Sequence, residues 1–150
     1  MVKRRRFQRR AALAALFAST AVLALGTAVS AQASGGSCRQ GPTVTDFLGG
    51  RFPTSVCPTW ITSHVRQDPN GGTASAGVLY AGHNWVVCQR MGGTNPKNGT
   101  GVNNYWLYTQ ADVGFMNNGW GWLPANAVSY GGDWEPIPGV PMCGIGVGGR

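Results

Sequence analysis

Apolar positions fall into two regimes along the 150-residue chain. Between Ala11 and Val29 they are almost continuous, whereas from residue 34 onward they come in short runs cut by Gly or Pro. No stretch of ten or more residues in the second regime repeats with a 3.6-residue period. That pattern predicts many short strands joined by turns, an all-β domain. Five strands are expected, at 61–66, 77–80, 84–90, 105–110 and 119–123. Residues 67–77, with Asp68-Pro69-Asn70-Gly71-Gly72, and the polar, Gly/Asn-rich 92–104 read as loops. Residues 124–127 are too short for an α-helix and suit a single 3₁₀ turn. Residues 34–60 read as an N-terminal extension lying on the 61–130 domain, and 131–150 as a Pro/Gly-rich C-terminal tail.

The first regime has the form of a secretory signal peptide over residues 1–33. A basic start is followed by the apolar stretch and by Ala31-Gln32-Ala33, a small-x-small cleavage signal. A single membrane anchor is the rival reading; the weak hydrophobicity of the Ala-rich stretch argues against it. Arg4-Arg5-Arg6-Phe7 also fits the opening of a twin-arginine signal. The general secretory route is preferred, because a chain exported unfolded can form disulfides outside. The charge changes meaning accordingly. Of the 12 Lys and Arg, six (Lys3, Arg4, Arg5, Arg6, Arg9, Arg10) precede residue 11, so the formal +7 becomes 6 − 5 = +1 for the rest. A mature domain near neutrality is not a nucleic-acid binder, and after cleavage no membrane contact is expected.

Cys38, Cys57, Cys88 and Cys143 all follow the leader. An even count in a small exported chain reads as two disulfides, with three possible pairings. Cys38–Cys57, a clamp on the extension, and Cys88–Cys143, a tie from the tail to a central strand, are favoured. With 18, 30 and 54 residues between neighbours, the cysteines form no metal knuckle.

Gly121-Trp122-Leu123-Pro124-Ala125-Asn126-Ala127-Val128 resembles the last-strand signature of SH3 domains, and Asn104-Tyr105-Trp106-Leu107-Tyr108 the aromatic strand before it. Val65-Arg66-Gln67-Asp68-Pro69 followed by Gly77-Val78-Leu79 resembles the opening of bacterial SH3 domains of the small secreted actinobacterial type. The resemblance implies a small five-stranded, partly open barrel and a binding function, often attachment to peptidoglycan or its peptides. It also implies that Trp106 and Trp122 are core residues. Ala127 stands where the eukaryotic signature has Tyr, and Asp68 is all that remains of an acidic first loop. No groove for Pro-rich peptides is therefore expected.

Candidate chemistry is sparse. His64 and His83 stand apart, and Asp46, Asp68, Asp112, Asp133 and Glu135 show no triad or metal spacing. With every Cys paired there is no thiolate nucleophile. The expectation is a non-enzymatic protein without cofactor or metal. The Asn98-Gly99-Thr100 sequon is discounted because the leader looks bacterial. Six tryptophans are the informative feature, since so small a chain cannot bury them all. Strand alternation puts Trp106 and Tyr108 on one face, Tyr105 and Leu107 on the other, and Trp120 with Trp122 on a shared face. Tyr105, Trp120 and Trp134 are the candidate ligand-binding platform. The expected partner is cell-wall peptidoglycan; the alternative is an extracellular protein, with the 92–104 loop serving in an inhibitor of a hydrolase.

Overall fold

A computed structural model describes residues 36–148; the leader, the cleavage after Ala33 and Ser34 lie outside the described residues. In chain order the strands are β1 (Arg39–Thr45), β2 (Arg51–Thr59), β3 (Ser63–Arg66), β4 (Ser75–Leu79), β5 (Gly82–Val86), β6 (Cys88–Met91), β7 (Tyr105–Gln110), β8 (Val113–Gly114) and β9 (Trp120–Pro124). Single 3₁₀ turns follow at Asn117–Gly119, before β9, and at Ala125–Ala127, after it. The fold is all-β. One sheet has the order β1-β2-β5, the other β6-β7-β9-β3-β4-β8. Among the described residues no helix is long and apolar enough to cross a membrane.

Each of the five expected strands forms, but the third is divided. β5 pairs with β2 in one sheet and β6 with β7 in the other. Val87, between them, donates its N–H to the Tyr108 carbonyl at 2.8 Å. One run of sequence thus crosses from sheet to sheet and fixes their relation.

The extension expected over residues 34–60 is itself two strands. Pro42, Pro53 and Pro58 argue against a sheet because proline cannot donate to a ladder. β2 accommodates its two by stagger. Pro53 faces Thr43 of β1 beyond the end of the β5 ladder, and Pro58 faces His83 of β5 beyond the end of the β1 ladder. Each proline therefore sits where β2 has a neighbour on one side alone.

The disulfides are Cys38–Cys57 and Cys88–Cys143, as favoured from the sequence, with Cα separations of 4.7 and 4.9 Å. The first binds the start of the β1-β2 hairpin to its own second strand, and the second binds the tail to β6. Two such bridges are compatible with an extracellular protein.

The meander of β6, β7 and β9 is covered on both faces. Leu107 and Leu123 point into the main core with Val65, Val86, Ile137 and the Cys57 side of β2. On the opposite face Trp106, Tyr108, Trp120 and Trp122 form a second cluster, roofed by Val44 and Phe52 of the β1-β2 hairpin, Trp85, Cys143 and Val147. The rings interlock, with centroids 5.4 Å apart for Trp85–Trp120, 5.2 Å for Tyr108–Trp120 and 5.3 Å for Tyr108–Trp122.

One carboxylate reaches this cluster. Asp46 accepts the N–H groups of Leu48 and Gly50 on Oδ1, at 3.0 and 2.8 Å, and so shapes the β1-β2 turn. Its Oδ2 accepts the Tyr108 hydroxyl at 3.2 Å. Burial, then the charge of Asp46 and that hydrogen bond, push the Tyr108 hydroxyl far above the usual phenol range. The folded state thus holds this proton more tightly than the unfolded state does. Its stabilising contribution is intact below about pH 10 and declines as the pH rises further, by up to about 1.4 kcal/mol per pH unit. Urea unfolding between pH 8 and 11.5 should show this alkaline fall, and Tyr108→Phe should flatten it. Equal slopes for the two proteins would show that another group sets the limb.

Candidate aromatic cleft

The three residues of the expected platform have three different fates. Trp120 is 3% exposed, so it offers no stacking surface, and its role is corrected to packing between Trp85 and Tyr108. Trp85 of β5 packs on it directly, and Val44 and Phe52 of the β1-β2 hairpin pack against the same cluster. Tyr105 is half-buried and packs on the main core beside Ile61. Its carbonyl accepts Asn95 Nδ2 at 3.0 Å, and its N–H bonds Asn103 Oδ1 at 2.8 Å. Trp134 alone of the three is open, at 53% exposure.

A second exposed indole, Trp60 at 50%, was missed by the sequence reading. Alternation could have found it. Cys57 must point inward to meet Cys38, which places Thr59 inward and Trp60 outward at the strand end. The Trp60 ring is oriented by its Nε1, which donates to the Asn126 carbonyl at 2.9 Å, and its N–H donates to the Ala127 carbonyl at 3.1 Å.

Asn126 fastens the 92–104 loop beneath these rings. Its N–H donates to Asn95 Oδ1 (3.2 Å), its Nδ2 to the Pro96 carbonyl (2.8 Å), and its Oδ1 accepts Asn98 Nδ2 (3.1 Å). Gly101 lies between the two flanks: a Cβ there would sit 4.0 Å from the Asn126 Cβ and 3.9 Å from Asp133 Oδ1. Asp133 Oδ1 accepts the Val102 N–H at 3.0 Å, and the Trp134 N–H returns to the Val102 carbonyl at 3.0 Å. Asn103 Nδ2 ties the same turn through the Gly132 and Glu135 carbonyls at 3.1 and 3.0 Å. These bonds hold Trp134 in the left-handed region, φ 60°, which is rare for a bulky residue and costs about 1–2 kcal/mol. Strain kept at an exposed ring points to a use for that ring.

The product is a shallow cleft of about 90 Å³ lined by Asn103, Asn126, Val128, Tyr130 and Asp133 among others. Neither exposed indole lines it, but Trp60 bonds the lining residue Asn126 and Trp134 bonds the lining residue Val102. Aromatic faces beside amide, hydroxyl and carboxylate groups suit a ligand with apolar C–H faces and many hydroxyls or amides.

Neither histidine lines the cleft. His64 is exposed, with Nδ1 3.0 Å from Ser75 Oγ, and His83 lies on β5 across from Pro58. Among the described residues no three His, Cys, Asp or Glu side chains come together in a way that could hold a metal ion. Comparison with protein-family models, curated proteins and solved structures finds no match for the chain.

Proposed function

We propose that this is a secreted, non-enzymatic SH3-like binding module that recognises a saccharide-bearing component of the cell envelope, peptidoglycan first among them. The observation that carries this reading is the pair of exposed indoles, Trp60 and Trp134, each hydrogen-bonded to a residue that lines one polar cleft, Asn126 and Val102 respectively. Two disulfides favour a site of action outside the cytoplasm. The SH3-like part rests on element order: the β3-β4 hairpin, the β6-β7-β9 meander, then one 3₁₀ turn over the Pro124-Ala125-Asn126-Ala127 signature. The inhibitor alternative needs a projecting loop, and residues 92–104 are instead tied down by Asn95, Asn98 and Asn126.

Sedimentation with purified cell-wall sacculi tests the proposal. The wild-type protein should pellet with the sacculi, and Trp60→Ala and Trp134→Ala should each bind about thirtyfold more weakly, the loss typical of an aromatic anchor. Both rings are exposed, so both variants should keep the wild-type fold by circular dichroism. Wild type left in the supernatant would remove the wall as partner. Two variants that pellet like wild type would move the site elsewhere.

A further inference from the structure

We propose that the outer face of the β1-β2-β5 sheet carries a carboxylate-binding pocket fitted to the free C-terminal end of a peptide. The cavity measures about 110 Å³ and is lined by Ser37, Arg39, Val56, Pro58, His83 and Tyr130. Strand register brings its parts together. Arg39 of β1 lies opposite Val56 of β2, and Pro58 of β2 lies opposite His83 of β5. Opposed residues of antiparallel strands share a face, as do residues two apart on one strand, so all four side chains emerge on the same side. Tyr130 walls the cavity from the segment after the second 3₁₀ turn. Its ring is seated against Gly36, where a Cβ would collide with it.

Charge, hydrogen-bonding capacity and size select the ligand. The lining holds a guanidinium, an imidazole and a phenol, and no carboxylate. Among the described residues no side-chain hydrogen bond or ion pair engages Arg39, His83 or the Tyr130 hydroxyl. Of the other described arginines, Arg66 bonds the Thr73 carbonyl and Arg90 lies over the Trp122 ring, 5.4 Å from its centroid, while Arg51 is exposed on β2 away from this pocket. The planar fork of a guanidinium matches the two oxygens of a carboxylate. A cavity of about 110 Å³ has room for roughly three to four waters. That space takes a carboxylate, its α-carbon and a small side chain. Val56, Pro58 and the Tyr130 ring give the α-carbon an apolar floor, which inorganic phosphate could not use. The proposal therefore commits to a peptide end with a small last residue. It does not depend on the saccharide cleft, although Tyr130 borders both.

The test is a titration of ¹⁵N-labelled full-length secreted protein, followed by amide chemical shifts, with acetyl-Ala-Ala, its C-terminal amide and inorganic phosphate as probes, each to about 10 mM. The free acid should produce saturable shifts at Arg39, Val56, His83 and Tyr130. The amide should bind at least about tenfold more weakly, as should the free acid to Arg39→Gln. Arg39 is exposed, so the spectrum of that variant should otherwise match wild type; Tyr130→Phe, which keeps the ring, should lose a smaller factor. No saturable shift with the acid, equal binding of acid and amide, or wild-type affinity in Arg39→Gln would each overturn the pocket. Phosphate binding as tightly as the acid, with the same shifts, would overturn the peptide end as its ligand.

Discussion

Gln89→Met should destabilise the protein by about 3–5 kcal/mol, although the two side chains are alike in size and Met is the more hydrophobic. Gln89 is 2% exposed and lies in β6. Its Nε2 donates to the carbonyls of Ile137 (3.0 Å) and Val140 (2.7 Å), and its Oε1 accepts the Ile137 N–H at 2.7 Å. Its main chain adds two bonds, from its N–H to the Pro141 carbonyl at 2.9 Å and from the Cys143 N–H to its carbonyl at 2.8 Å. The tail has no periodic structure of its own, so this one residue does for residues 137–143 what a neighbouring strand would do. Methionine leaves the Ile137 N–H and the Val140 carbonyl without partners, each worth about 1–3 kcal/mol, and leaves the Ile137 carbonyl with the Val140 N–H alone, at 3.2 Å. Ile137 and Val140 belong to the main core, so the loss reaches the sheets and is not confined to the tail. Urea unfolding under non-reducing conditions measures the shift. Hydrogen exchange gives a local check, since the Ile137 amide should lose its protection first. A change below about 1 kcal/mol would mean that the Cys88–Cys143 bridge alone holds the tail.

What the sequence disclosed follows the range of the forces involved. Strand positions over 61–130 were legible because Gly and Pro punctuate each run and because Leu107 alternates with Trp106 and Tyr108. The Cys88–Cys143 pairing was legible from a central cysteine and a tail with nothing else to hold it. Residues 39–59 were not legible as strands, because Pro53 and Pro58 are tolerated through ladder stagger, a property of three strands side by side. That one gap carried into the candidate site. Without the β1-β2 hairpin, neither the packing of Val44 and Phe52 over the cluster that holds Trp120 nor the outward position of Trp60, just past β2, is legible. Gln89 gave no signal at all. Its partners lie 48 to 51 residues away and are backbone groups, which leave no mark on residue type.

Trp120→Ala and Trp134→Ala should separate cleanly in stability, the first losing about 3–5 kcal/mol and the second within about 0.5 kcal/mol of wild type. Both are tryptophans in Gly-rich surroundings near the end of the chain, and both looked equally available for a surface platform. The difference is what lies above them. Trp120 has Trp85 and Tyr108 within 5.4 Å by ring centroid, with Val44 and Phe52 packed against the same cluster. Cutting the indole back to a methyl group opens a cavity between the β1-β2 hairpin and the meander, where rings already locked by the Asp46–Tyr108 bond cannot collapse to fill it. Trp134 has solvent over half its surface, and its backbone is set by Val102 and Asn103, which the substitution leaves in place. Alanine does not relieve the φ of 60°, because any Cβ meets the same obstruction there, so no gain offsets the lost contacts. Urea midpoints at equal m-values give the comparison, with near-ultraviolet circular dichroism reporting the aromatic cluster. A Trp120→Ala midpoint equal to wild type would show that the indole packs against nothing, and the two-faced core would have to be redrawn with β9 open to solvent.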